Sequence, residues 1–143
     1  MAEPIVEAVD LNKSFDANHV LRGVSFTLAK GETLVVMGGS GSGKTVLLRL
    51  VAGLIRPESG RLRVFGRAIE RLTEEELLPL RRRMGYVFQG AALFDSLSVR
   101  ENVAYPLREH TSLGEAEIEE RVVRNLSVVG LSPDILPLLP SEL

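Results

Sequence analysis

The segment Gly38-Gly39-Ser40-Gly41-Ser42-Gly43-Lys44-Thr45 constrains this chain more than any other. It fits the pattern G-x-x-x-x-G-K-[ST] at each fixed position. The segments on either side differ in periodicity. Before it, Glu32 to Met37 (E-T-L-V-V-M) is a short apolar run of the kind buried on both faces of a parallel sheet. After it, Lys44 to Leu54 sets Leu47, Leu48, Val51 and Leu54 at helical spacing, with Pro57 beyond the stop. A strand, a tight loop and a helix in that order predict an α/β chain built on a P-loop.

Each part of the loop has a chemical reason. Glycines let the backbone curl so that several N–H groups face one anion, with no side chain in the way. The helix that follows aims its dipole and its free N–H groups at the same point. Lys44 supplies a point charge for β and γ phosphates, and the Thr45 hydroxyl is an oxygen ligand for Mg²⁺. The expected contacts to ATP or a close relative run from Gly38 to Val46. A plain glycine turn is the competing reading. The bare pattern arises by chance in roughly one chain of this length in a few hundred, and the strand-and-helix context weighs further against chance.

Elsewhere the pattern alternates. Ile5 to Leu11 and Val20 to Leu28 read as strands, and Gly60 to Gly66 brackets a third. Met84 to Phe88 reads as another. Three hydroxyl residues stand three places before a glutamate: Thr73 with Glu76, Ser98 with Glu101, and Ser112 with Glu115. Each pair predicts a capping box and a helix start. In the third helix Ile118, Val122, Leu126 and Val129 form one apolar stripe, and Gly130 ends it. Arg81-Arg82-Arg83 reads as a solvated helix end favoured by the dipole, ahead of a partner site.

Composition excludes several classes. The chain has 143 residues, enough for one domain of ordinary size, and its net charge of −2 gives no electrostatic case for nucleic acid. It has no cysteine, so disulfides and thiolate metal sites are ruled out. No apolar run reaches the ~18 residues that span a bilayer. Met1 to Val9 carries Glu3 and Glu7 without a basic flank, unlike a signal peptide, and a cytoplasmic location is expected.

Residues around the loop point to a family. Upstream stands L-N-K-S-F-x4-V-L-R-G-V-S-F-T-L-x-x-G-E. Downstream come V-L-L-R-L-V-A-G-L-I-R-P-E-S-G and G-Y-V-F-Q-G-A-A-L-F-D-S-L-S-V-R-E-N-V-A-Y-P-L. Together they resemble the ATP-binding cassette (ABC) ATPase subunits over essentially the whole chain. Gln89 to Thr111 is similar to the ATPases of Mla/MCE-type lipid transporters.

The resemblance implies that Phe15 takes the place of an aromatic stacked on adenine, with Val20 flanking the ring; a core phenylalanine is the plainer alternative. It implies that Gln89 ligands Mg²⁺ or the attacking water and senses a transmembrane partner. It implies that Ala91 to Tyr105 receives a coupling helix, although Leu93, Phe94 and Leu97 suit a helical core equally well. The implied fold is a P-loop α/β core with an antiparallel β subdomain over 1–90, and the start of a helical subdomain over 91–143. The implied partners are a transmembrane permease and a second ATPase in a head-to-tail dimer, with the chain peripheral at the inner face of the membrane and not inserted in it.

Other family parts have no counterpart here. Pro140 to Leu143 looks like the lead-in to a signature loop, and the Walker B aspartate, catalytic glutamate and switch histidine are expected after it. His19 and His110 both come too early to be that histidine. Ala91-Ala92-Leu93-Phe94-Asp95 is an apolar run ending in aspartate, but Ser96 stands where a catalytic glutamate is wanted. The expectation is therefore ATP binding with Mg²⁺, no turnover by this chain alone, and a P-loop strand short of sheet neighbours that makes the chain prone to aggregate. The rivals are a non-hydrolytic regulatory module and, more remotely, a small P-loop kinase.

Overall fold

A computed structural model describes residues 4–90 and 92–143. The first three residues of the N-terminal reading, and Ala91 at the head of the coupling-helix stretch, lie outside the described residues. The chain divides into two compact units, one up to Tyr86 and one from Val87 to Leu143.

The first unit is built on an antiparallel sheet. Strand β1 (Pro4–Phe15) turns at Asp16 and Ala17 into β2 (Asn18–Ala29). β3 (Ser59–Val64) pairs with the other edge of β1, and β4 (Arg67–Ala68) pairs with β3, giving the order β2-β1-β3-β4. Alternation decides the faces. Val6, Ala8, Leu62 and Val64 are buried, while their neighbours Glu7, Arg61 and Arg63 stand on the opposite face. Under the buried face pack α1 (Lys44–Val51), through Leu47 and Leu50, and α2 (Glu74–Arg81), through Leu77 and Leu80. Ile69, in the 3-10 turn Ile69–Arg71, joins the same core.

α2 starts as predicted. The Thr73 hydroxyl accepts from the Glu76 N–H and the Glu76 carboxylate accepts from the Thr73 N–H at 2.9 Å. That backbone donor is the main cause holding the Glu76 carboxyl below its ordinary value. Arg81 departs from the solvated helix end expected of it. Its side chain is only 25% exposed and donates to the carbonyls of Ala52 (3.2 Å) and Gly53 (2.6 Å), where α1 ends, and to Glu74. Orphan carbonyls at a helix end need donors, and this guanidinium supplies them. Arg83 lies over the Phe65 ring at 3.9 Å, and Arg82 is exposed.

Two expected strands are absent. Glu32 to Met37 runs without ladder partners, with Val35 67% and Met37 86% exposed. Met84 to Phe88 is likewise not a strand, and Val87 is 96% exposed. An apolar run becomes a buried strand only where neighbours complete its hydrogen bonds, and the sheet among the described residues uses β1 to β4 alone.

The second unit is helical. α3 (Val99–His110) opens on the expected Ser98–Glu101 capping box, and α4 (Glu115–Val128) packs Ile118, Val122 and Leu126 against Val99, Ala104 and Leu136. The third predicted capping box does not form. α4 is capped at Gly114, whose N–H donates to Glu117 at 3.2 Å, while Glu115 is taken by Arg108 at 3.0 and 2.7 Å. Val129 leaves the stripe: the helix has ended at Val128 and the residue is exposed.

Candidate functional site

The glycine loop ends where α1 begins. Gly43 is the N-cap, in the left-handed region at φ 91°, and its carbonyl accepts from Leu47 at 2.9 Å. A side chain there is excluded twice. The backbone angle is strained for any L residue, and an added Cβ meets Val20 Cγ1 at 2.9 Å and Leu21 Cδ2 at 3.0 Å. At Gly41 (φ 77°) only the angle opposes substitution, for nothing lies within 4 Å. Ser42 N–H donates to the Gly39 carbonyl at 3.3 Å and closes the turn.

Lys44 folds back over this turn. Its Nζ donates to the carbonyls of Gly38 (2.8 Å) and Gly39 (2.7 Å) and stands 3.4 Å from Ser42 Oγ. The ammonium thus bridges both ends of the loop and holds its positive charge beside the N-terminus of α1. Val20 and the residues from Gly41 to Val46 line a concavity of about 200 Å³. Apart from Lys44, no side chain on its wall carries a charge.

The start of α1 differs from the other helix starts. α2 and α3 have hydroxyl caps and a glutamate in the first turn, and α4 has Glu117. α1 has neither a side-chain cap nor an acidic residue in its first turn. Its first N–H groups are therefore left facing the concavity without a carboxylate from the chain. Uncapped donors, a helix dipole and an ammonium together form a site suited to a multiply charged anion.

The remaining expected site residues fall as follows. Val20 lines the concavity, so it joins the loop. Phe15 sits at the end of β1, opposite Asn18, 45% exposed and with Lys13 Nζ 5.3 Å from its ring centroid. The core reading of Phe15 is excluded, and the ring is not among the residues lining the concavity. Gln89 belongs to the second unit, in an exposed bend. In that unit Leu93 and Phe94 are exposed and Leu97 is half-buried, and none of the three belongs to the helical core. Phe94 packs on Tyr105, with ring centroids 4.9 Å apart. Asp95 lies in an exposed turn rather than at a strand end, which removes the geometric basis for a Walker B role. His19 accepts or donates at Nδ1 with Ser14 Oγ, 2.8 Å away. Among the described residues no group of three or more His, Asp or Glu is placed to hold a metal.

A strand-rich unit with a glycine loop feeding an uncapped helix defines an α/β protein of the anion-cradling kind. The comparisons make the class specific. The family model described as "ABC transporter" matches residues 21–139, and the chain belongs to that family. It is 44% identical over 143 residues to the chloroplastic protein TRIGALACTOSYLDIACYLGLYCEROL 3 of Arabidopsis thaliana, covering 99% of this chain and 41% of that one. It is 39% identical to the intermembrane phospholipid transport system ATP-binding protein MlaF of Haemophilus influenzae, covering 100% of this chain and 54% of that one. Among solved structures it matches a dimeric ATP-binding cassette in a post-hydrolysis state, bound to ADP and Pi, at TM-score 0.89 and 27% identity; the match covers 96% of this chain and 62% of that one. The α/β fold of the ABC ATPase cassette is thereby shown, and the chain spans between 35% and 54% of the length of the curated relatives it matches. No helix among the described residues is long and apolar enough to cross a membrane.

Proposed function

We propose that the loop from Gly38 to Thr45 binds the phosphates of ATP, and that the chain serves as the ATP-binding part of an ABC transporter ATPase. The observation that carries this is the start of α1: a helix without its own cap, with Lys44 poised over the glycine turn. In this reading the N–H groups from Gly41 to Val46 surround the β and γ phosphates, Lys44 neutralises them, and the Thr45 hydroxyl ligands Mg²⁺. Val20 and Phe15 take the base, and for Gln89 a role at the metal or the attacking water rests on the family resemblance alone. The Walker A role of the loop is part of the same proposal.

The cargo is a phospholipid or another hydrophobic molecule; support comes from the likeness to a phospholipid-transport ATP-binding protein. The partners are a membrane permease and a second ATPase subunit, with the protein peripheral at the cytoplasmic face of the membrane. The same proposal gives this chain alone binding without turnover. Hydrolysis needs a positioned water and a group to orient it, which the loop does not provide.

Titration calorimetry with Mg·ATP tests the site. Lys44→Ala removes a charged donor worth ~1.5–3 kcal/mol, so affinity is expected to fall by roughly tenfold or more. Thr45→Ala is expected to weaken binding only when Mg²⁺ is present. Unchanged affinity in both variants contradicts the assignment. Steady-state hydrolysis by the wild-type chain alone refutes the binding-only reading.

A further inference from the structure

The face of the sheet opposite the core carries a second concavity, of about 370 Å³. Arg61 and Arg63 of β3 line it with Arg71 of the 3-10 turn, Glu7 of β1 and Glu70. The period of two in β3 explains the pair: Leu62 and Val64 go to the core, so Arg61 and Arg63 share the outer face. The register sets Arg63 between Glu7 on β1 and Ala68 on β4, and Arg61 opposite Val9. Ala68 is small and leaves the floor open. Arg71 is held in place from behind, because Arg56 donates to the carbonyls of Ile69, Glu70 (2.8 Å) and Leu72 and so pins the turn.

The charges do not cancel. Three guanidiniums meet two carboxylates, and one of these, Glu70, already accepts from the Leu62 N–H at 3.3 Å. The side chains of Arg61, Arg63 and Arg71 make no ion pair or hydrogen bond among the described residues, and even the cross-strand neighbours Glu7 and Arg63 form no ion pair. Arg67, Arg81, Arg100 and Arg108 are each paired with a glutamate, and Arg49, Arg82, Arg121 and Arg124 have no ion pair among the described residues; what sets Arg61, Arg63 and Arg71 apart is that all three line one hollow. In a chain of net charge −2, three unpaired like charges around one hollow form a local positive field that a counter-charge relieves.

We infer that this outer face is a second anion site, taking a phosphate or diphosphate group on Arg61, Arg63 and Arg71. Guanidinium forks match phosphate oxygens two at a time, and forks from two elements converging on one hollow favour a group with several charged oxygens over a single carboxylate. The volume falls within the range of small-ligand sites. The ligand is either a soluble phosphorylated compound or the headgroup of an anionic phospholipid. The site shares no residue with the glycine loop, so it stands or falls independently of the nucleotide reading.

The test is a titration of the ¹⁵N-labelled full chain with inorganic pyrophosphate, following the arginine Nε resonances, with Lys44→Ala as background to silence the loop. The Nε signals of Arg61, Arg63 and Arg71 are expected to move together. The triple variant Arg61→Gln, Arg63→Gln, Arg71→Gln is expected to weaken binding by about tenfold or more. The charge-matched control Arg82→Gln, Arg121→Gln, Arg124→Gln is expected to change it less than about twofold. Equal losses in the two triple variants, or no Nε movement at the three positions, overturn the proposal. The Nε shifts of the unsubstituted arginines serve even if a variant fails to fold. Sedimentation with phosphatidylcholine vesicles, with and without phosphatidic acid, separates the sources. Retention only on phosphatidic acid vesicles, lost in the site variant, identifies a headgroup, whereas pyrophosphate binding without retention identifies a soluble ligand.

Discussion

Gly43 gives the sharpest mutational prediction about the loop. Gly43→Ala puts a Cβ on a residue at φ 91°, in a region that costs an L residue ~1–2 kcal/mol. The same Cβ falls 2.9 Å from Val20 Cγ1 and 3.2 Å from the Val20 carbonyl oxygen. Val20 is β-branched and cannot swing clear, and a backbone oxygen moves only if β2 moves, so overpacking adds ~1–3 kcal/mol. The total is about 2–5 kcal/mol, or a fall in melting temperature of about 8 °C or more for a unit of this size. Two neighbours calibrate it. Gly41→Ala carries the strain alone, about 1–2 kcal/mol, because nothing lies within 4 Å. Gly39→Ala has open space and no positive φ, so it is expected to be neutral, or stabilising by up to about 1 kcal/mol through the unfolded chain. The assay is thermal unfolding by circular dichroism beside the affinity for a fluorescent ATP analogue. Both are expected to worsen in the order Gly39, Gly41, Gly43. A Gly43→Ala protein that melts and binds like Gly39→Ala refutes the reasoning.

Three further predictions follow from other parts of the fold. Arg81→Met leaves the Ala52 and Gly53 carbonyls without their donor and is expected to cost about 1–3 kcal/mol in urea unfolding, whereas Arg82→Met, at an exposed position, is expected to cost almost nothing. The Glu101 carboxyl is held below its ordinary 4.5 first by the Ser98 backbone N–H, then by the Ser98 hydroxyl. A depressed folded pKa contributes stability above the unfolded value and loses it as pH falls through the folded one, so Glu101→Gln is expected to melt below wild type at pH 7 and to converge with it in acid; a gap that stays constant across that range contradicts the cap. The exposed apolar residues Val35, Met37 and Val87 predict self-association, reduced by Val35→Lys with Val87→Lys and read by sedimentation velocity. A wild-type chain that sediments as a clean monomer refutes this.

Features set by neighbouring residues were legible in the sequence, and those set by distant contacts were not. The capping boxes at Thr73 and Ser98 span three residues and formed as read. The one at Ser112 failed because Arg108, on another helix, engages Glu115 and leaves the cap to Glu117. The runs at Glu32 to Met37 and Met84 to Phe88 carry the composition of buried strands. Composition does not supply a hydrogen-bonded neighbour, and no ladder forms on either. The glycine turn was legible because it is contiguous. Eight consecutive residues build the turn, and the next helix starts without a cap, a feature visible in the lack of any acidic residue from Lys44 to Val51. Arg81 as a carbonyl cap was not legible, since it bridges about 30 residues of chain. The outer arginine hollow gave only a partial signal, Arg61-Leu62-Arg63 in a strand, and Arg71 joins through a turn that no local pattern placed.

In the proposed function, phosphates sit on the start of α1. Residue-resolved amide shifts of the ¹⁵N-labelled chain during a Mg·ATP titration test it most directly. Saturable movement of the amides from Gly41 to Val46 together with Val20 is expected, abolished in Lys44→Ala. Movement elsewhere with those amides still, or the same movement in Lys44→Ala, contradicts it.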